Sequence, residues 1–274
     1  MSKTIVITGA GGVLCSGFAR SLAAKGHKIA LLDLNEEAVT ALAKEIEEAG
    51  GTAKAYKANV LERGTLEAVH KKVQKDLGKC GILINGAGGN SPKCTLTNEF
   101  FTPGDETADD IKSFFNMDAE GFDFVLDLNL MGTLLPTQVF AADMIGREGC
   151  SILNISSMNA FRPLTKIPAY SAAKSAVSNF TQWLAVHFAP AGIRVNALAP
   201  GFFVTGQNEA LLFNPDGTKT PRTEKILAAT PMGRFGKPEE LEGALHFLTD
   251  SQKASFITGV VLPIDGGFSA YSGV

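Results

Sequence analysis

Tyr170 and Lys174 stand four residues apart, and Ser157 lies thirteen residues before the tyrosine. On a helix that spacing is about one turn, so phenol and ammonium project from the same face. A free phenol has a pKa of about 10 and is a poor base near neutrality. An ammonium held beside it stabilises the phenolate, which makes Tyr170 a usable proton donor or acceptor. Ser157 ends the strand-like run 150–157 and is placed to hold a carbonyl or hydroxyl oxygen against the phenol. Such a trio performs proton transfer at an oxygen. Tyr-x-x-x-Lys also arises by chance on ordinary helices, so the surrounding elements have to decide.

Those elements follow an alternation of short apolar runs with amphipathic stretches, the pattern of a parallel sheet with crossover helices. Strands are predicted at 4–8, 29–33, 53–57, 82–85, 151–156, 194–198 and 260–263, and helices at 13–25, 36–49, 63–77, 121–144, 169–188 and 238–248. Pro190 and Gly192 should stop the helix at 169–188. With 274 residues, 45% of them hydrophobic, and no repeat, low-complexity tract or Pro/Ser-rich linker, a single domain is the economical reading. Two segments break the rhythm. Residues 92–120 form a long acidic connection, read as a solvated surface segment. Residues 202–236 form an irregular excursion, read as a substrate loop or lid, with Gln207 and Asn208 where it would cover a ligand.

A net charge of -3 and a pI near 5.9 give no electrostatic reason to expect nucleic acid or an anionic membrane as partner. No run approaches the roughly 18 apolar residues of a membrane span. The N-terminus enters a strand pattern at once, leaving no room for a signal peptide, so a cytoplasmic location is expected. Cys15, Cys80, Cys94 and Cys150 form no Cys-x-x-Cys pair and read as reduced packing thiols, with Cys94 and Lys93 given no functional role. His27, His70, His187 and His246 lack metal-ligand spacing, so no metal is expected.

The first strand runs into Thr8-Gly9-Ala10-Gly11-Gly12-Val13-Leu14-Cys15 and then a helix pattern. A glycine-rich strand-to-helix turn offers backbone N–H groups and a positive helix terminus to a pyrophosphate. Asp33, about twenty residues on, would accept from both adenosine ribose hydroxyls and repel a 2'-phosphate. No Arg or Lys occurs between Leu31 and Val39 to receive that phosphate, so NAD is favoured over NADP. Asn59 and Val60 would meet adenine at the end of the third strand. Asn85-Gly86-Ala87-Gly88 makes a glycine-rich bend at the end of the fourth, beside the cofactor's ribose. Every motif falls at a strand's carboxyl end, where ligands of open α/β sheets bind.

Taken together, the Thr8-Gly9 turn, Asp33, Asn85 to Gly88, Asn129, Ser157, Tyr170/Lys174, Pro200-Gly201 and Ile264-Asp265-Gly266-Gly267 make the chain resemble the short-chain dehydrogenase/reductase family over nearly its whole length. The resemblance implies a Rossmann-type α/β fold, a doubly wound parallel sheet of about seven strands with helices on both faces. It implies a catalytic tetrad in which Asn129 holds a relay water, Ser157 orients substrate oxygen, Tyr170 is the acid/base, and Lys174 binds nicotinamide ribose and depresses the tyrosine pKa. The implied cofactor set is Gly9, Gly11, Gly12, Val13, Leu14, Asp33, Asn59, Val60, Asn85, Gly86, Ala87, Gly88, Tyr170, Lys174, Pro200, Gly201 and Phe203. Val13 and Cys15 replace later glycines of the family turn, which implies a rearranged phosphate cradle. Family members commonly form dimers and tetramers through helices at 121–144 and 169–188, so a homo-oligomer is implied.

The runs 11–16, 154–170, 200–208 and 266–274 resemble the D-mannonate oxidoreductase (fructuronate reductase) branch of that family. A hexonate needs a cation for its carboxylate and polar groups for its hydroxyls. Arg162 and Lys166, between Ser157 and Tyr170, are either that cation or ordinary solvated charges; Asn90 and Asn159 are amides near strand ends. With Ser157 and Tyr170 they form the expected substrate set. Other sugar acids, polyols or 3-oxoacyl thioesters stay open as substrates, as does a non-catalytic nucleotide-binding regulator.

Overall fold

Strands β1 (Thr4–Thr8), β2 (Lys28–Asp33), β3 (Thr52–Lys57), β4 (Cys80–Asn85), β5 (Ser151–Ile155), β6 (Arg194–Pro200) and β7 (Val261–Ile264) form one sheet in the order β3-β2-β1-β4-β5-β6-β7, every neighbour pair parallel. The computed structural model describes residues 2–204 and 209–273. Each of the seven expected strands is present, β1 at its predicted bounds and the others within two residues of theirs.

Side chains alternate across the sheet. Ile5, Ile7, Ile29, Leu31, Ile82, Ile84 and Leu153 enter a core with Phe18 and Leu22 of α1 (Val13–Ala24), Leu42 and Ile46 of α2 (Glu36–Glu48), and Leu245 and Leu248 further along. Val6, Ala30, Leu32, Leu83, Ile152 and Val195 face the opposite core, with Leu66 and Val73 of α3 (Arg63–Asp76) and Phe140. Both faces are thus covered, which is why the strands read as continuous apolar runs. The order reverses between β1 and β4, and a crevice opens there at the carboxyl edge.

The helices start and stop for local reasons. Asn35 caps α2 by accepting from the Ala38 N–H at 3.1 Å, with Glu36 and Glu37 at the positive end. The predicted helix 121–144 begins two residues earlier and is not one regular helix. It is α4 (Ala119–Leu126), a π segment (Asp127–Met131), α5 (Gly132–Phe140) and a 3-10 turn (Ala141–Met144). This run, Ala119–Met144, is long and apolar enough to cross a membrane, which a count of unbroken apolar residues does not register because Asp123, Asp127 and Asn129 interrupt it; half of its most apolar window is buried within the fold. α6 (Pro168–Phe188) starts on a proline and is closed by Gly192 at φ 72°.

Residues 95–118 contain no α-helix and meet the loop after β5 at Lys166, with the Leu96 N–H donating to Lys166 O at 2.8 Å. The excursion between β6 and β7 carries α7 (Glu209–Leu212), α8 (Pro221–Ala228) and, after a 3-10 turn (Pro238–Leu241), α9 (Glu242–Thr249). Gln207 and Asn208 lie outside the described residues.

Candidate active site

The crevice at the carboxyl edge encloses about 350 Å³ and is lined by Gly9, Gly12, Val13, Leu14, Cys15, Gly86, Gly88, Ser157, Tyr170, Lys174, Pro200, Gly201 and Phe203, among others. A neighbouring cavity of about 400 Å³ shares Phe202 and Phe203 with it and reaches under Thr230, Met232 and Asp265.

Tyr170 and Lys174 project together from the first turns of α6, the Lys174 ammonium 5.5 Å from the centre of the phenol ring. Lys174 is buried and its Nζ donates to Ile155 O at 2.8 Å, which ties the helix to the end of β5. Burial brings the Lys174 pKa down to about 8. Burial pushes the Tyr170 phenol above its ordinary value, while a hydrogen bond from Ser157 pulls it down. The net tyrosine shift is upward, opposite to the depression implied by the family pattern. Desolvation is the largest influence on each group, and both drift toward neutrality.

Asn129 sits on the π segment, fully buried, donating through Nδ2 to Gly89 O and Val125 O, each at 2.8 Å. Gly88 explains how it meets the lysine. A Cβ at Gly88 would lie 2.6 Å from Asn129 Oδ1 and 3.1 Å from Lys174 Nζ, so the glycine keeps open the point on which both converge.

The glycine turn fits an anion. α1 starts at Val13 behind Gly12 with no side-chain cap and no acid in its first turn, so its leading N–H groups remain for a ligand. Gly9, at φ 65°, brings β1 against Ala87, where a Cβ would stand 2.8 Å from the Ala87 backbone. Thr8 Oγ1 accepts from the Gly86 and Ala87 N–H groups at 3.1 and 3.3 Å, joining the two bends. Asp33 ends β2 beside this turn, its Oδ2 accepting from Gly11 N at 2.9 Å and its Oδ1 from Asn35 N at 2.9 Å. Cradle, carboxylate and cleft fit a dinucleotide.

The two departures from the glycine pattern separate. Val13 faces the cleft, while the Cys15 sulfur is buried directly beneath Gly86, in the space a Gly86 side chain would need. Burial raises that thiol to about 12, so it acts as packing.

The amides at the two strand ends are engaged elsewhere. Asn85 Nδ2 donates to Asn154 Oδ1 at 2.9 Å and Thr137 Oγ1 at 3.0 Å, so its amide nitrogen is committed inside the fold. Asn59 shapes its own turn through Leu61 N and Glu62; Val60 is buried with Gly132 packed against it. Gly201 lies so close to Asp265 that its Cβ would fall 2.6 Å from Asp265 Cα.

Of the expected substrate residues, Asn159 is buried two residues past Ser157, and its Oδ1 has no partner. Arg162 Nε donates to Ser269 O at 3.1 Å and Lys166 Nζ to Thr97 O at 2.6 Å. Asn90 is exposed and bonded to Thr95 Oγ1 at 3.0 Å. Sequence reasoning missed Ser269 and Thr97 as neighbours of these cations, since each contact spans more than sixty residues. Among the described residues, no three His, Cys, Asp or Glu side chains gather to hold a metal ion.

Comparisons with known proteins agree with this geometry. Residues 3–212 match the family model described as short chain dehydrogenase. An uncharacterized oxidoreductase of Haemophilus influenzae is 60% identical, the alignment covering 100% of this chain and 95% of that one. Another, UxuB of Bacillus subtilis, is 51% identical over 99% of this chain and 96% of its own. A Haemophilus crystal structure with bound NAD, provisionally described as a D-mannonate oxidoreductase, superposes with a TM-score of 0.96 at 60% identity, covering 99% of this chain and 96% of that chain. The chain belongs to the short-chain dehydrogenases and is an oxidoreductase.

Proposed function

We propose that this protein interconverts D-mannonate and D-fructuronate in the cytoplasm, with NAD as its cofactor. The observation that carries the reading is the convergence of Ser157, Tyr170, Lys174 and Asn129 on one cleft beside an uncapped helix terminus. Asp33, at the end of β2 beside the glycine turn, favours NAD over NADP. The sugar acid is supported by the 60% identity to the Haemophilus protein and by Arg162 and Lys166 on the loop between Ser157 and Tyr170. Arg162 holds Ser269 through Nε alone, so its Nη groups remain able to grip a carboxylate.

Bound in this cleft, NAD supplies the hydride chemistry. Ser157 donates a hydrogen bond to the reacting oxygen, and Tyr170 exchanges a proton with that same oxygen. Lys174, fixed to Ile155 O, keeps an ammonium beside the phenol up to about pH 8. A water at the point Gly88 leaves open, between Asn129 Oδ1 and Lys174 Nζ, passes the proton outward. The buried, unpartnered Oδ1 of Asn159 accepts from a sugar hydroxyl.

Initial rates at 340 nm with D-mannonate, D-gluconate and an acetoacetyl thioester, each with NAD(H) and NADP(H), test the proposal. D-mannonate with NAD should give the highest kcat/KM; preference for the thioester would overturn it, because an acyl carrier has no use for a carboxylate grip. Tyr170→Phe should lower kcat by about 10²- to 10⁴-fold with NADH affinity unchanged. Arg162→Ala should raise KM for the hexonate far more than it weakens NADH binding. The reading extends to assembly: copies pair through α4 and α6, which expose Phe124, Trp183 and Val186.

A further inference from the structure

Two excursions rise from the carboxyl edge on either side of β5. One follows β4 and contains Glu99; the other follows β6 and contains Lys225 on α8. Because β5 lies between β4 and β6, a link between these excursions passes over the loop that leaves β5, which carries Ser157, Asn159, Arg162 and Lys166. Such a link exists. Lys225 Nζ lies 2.8 Å from Glu99 Oε1, and the pair joins residues 126 positions apart. The Glu99 carboxyl is held below its ordinary value, chiefly by the hydrogen bond from Lys225, and it also feels the charge of Lys166. Among the described residues no other ion pair joins the two excursions.

The base of the second excursion is built differently. Gly236 N donates to Phe202 O at 2.9 Å, Phe203 and Gly236 form a β-bridge, and Met232 N donates to Gly266 O at 3.1 Å. Gly266 and Gly267 meet Thr230 and Pro231 so closely that a Cβ at either would approach within about 3 Å, at 2.9 and 3.1 Å. The foot is therefore clamped by backbone and close packing. The far side of α8 is held to the opposite wall by side chains that are 68% and 35% exposed. An exposed pair contributes only a little stability, and such a contact opens and closes readily.

We propose that Glu99 and Lys225 are positioning residues that latch α8 across the mouth of the substrate cleft. They touch neither the reacting atoms nor the cofactor; they set how long the mouth stays shut over a bound substrate. The kinetic consequence rests on the sugar-acid reading above, whereas the latch itself does not.

The test combines amide hydrogen exchange of the full-length, ligand-free protein with steady-state kinetics on NAD and D-mannonate. Glu99→Gln and Lys225→Gln should each speed exchange in residues 221–228 about two- to fivefold, and the charge swap Glu99→Lys/Lys225→Glu should restore it. Both single variants should raise KM for D-mannonate, while NAD affinity stays unchanged. A charge acting only through its field on an anionic substrate would move the two KM values in opposite directions. Unaltered exchange in both single variants, or a swap that fails to restore it, overturns the latch. Opposite KM shifts overturn its role in the cleft. Wild-type protein that does not oxidise D-mannonate would defeat the substrate assignment and leave the exchange result standing.

Discussion

Burial pulls Tyr170 and Lys174 toward the same uncharged condition from opposite sides, the phenol upward and the ammonium down to about 8. For Lys174 the linkage to stability has a definite sign. Between about 8 and the unfolded value of 10.5, the unfolded chain keeps a proton that the native protein has released, so stability rises with pH through that window. Below it the buried charge is a standing cost. Lys174→Met should therefore stabilise the fold by roughly 2 kcal/mol near pH 7, after allowance for the lost bond to Ile155 O. That advantage should fade as pH approaches about 10, read by urea unfolding across the range. No gain near neutrality would show that the lysine is better solvated than its burial implies. At this scale the sequence is most informative about types at short spacing: Tyr170, Lys174 and Ser157 declare themselves. It is silent on what holds them, because Ile155 O and the meeting point at Gly88 exist only once strands and helices have packed.

Elements were legible wherever pattern and length agree. The inner strands emerge because both faces are covered and their runs are apolar nearly throughout, whereas the edge strand β3 shows itself by alternation, Ala53, Ala55 and Tyr56 among exposed polar residues. The 92–120 connection reads as acidic and solvated, yet the sequence does not show that it packs on the loop carrying Lys166, because both contacts there involve a backbone group of the connection, Leu96 N and Thr97 O. The β1–α1 turn is the element on which the cleft depends most, and its glycines differ in what they tolerate. Gly9→Ala places a methyl against the Ala87 backbone at a positive φ and should cost about 2–3 kcal/mol. Gly50→Ala is the control: φ is 84° with open space around the added carbon, so only the conformational strain of about 1 kcal/mol is expected. Equal urea midpoints for the two variants would refute the close approach of the two bends.

For the molecule as a whole, the parallel sheet, its order and its switch point follow from the alternation of elements, whereas contacts between distant excursions do not. The face of α6 carries Phe180, Trp183 and His187 as a stack with ring centres 6.1 and 4.8 Å apart, close to parallel. If copies pair through this face as proposed, Trp183→Glu should lower the mass measured by light scattering while leaving the circular dichroism spectrum unchanged; an unaltered mass would refute pairing through α6.

The π segment has a consequence of its own. Gly121, Val125, Asn129, Thr133 and Thr137 are all buried, five residues at intervals of four. In a regular α-helix each such step overshoots a full turn by about 40°, so the column would wind roughly 160° around the rod by its last member. The wider turn at Asp127–Met131 takes back part of that rotation and resets the phase of the rod midway. The same continuous rod can then present one flank to α6 near its start and another to α3 and β4 beyond the reset, with Asn129 seated at the crossover. The amide's aim into the cleft is thus a matter of angular bookkeeping along a rod. Removing Leu128 or Leu130 would swing the two halves out of phase while leaving Asn129, Ser157, Tyr170 and Lys174 in the chain.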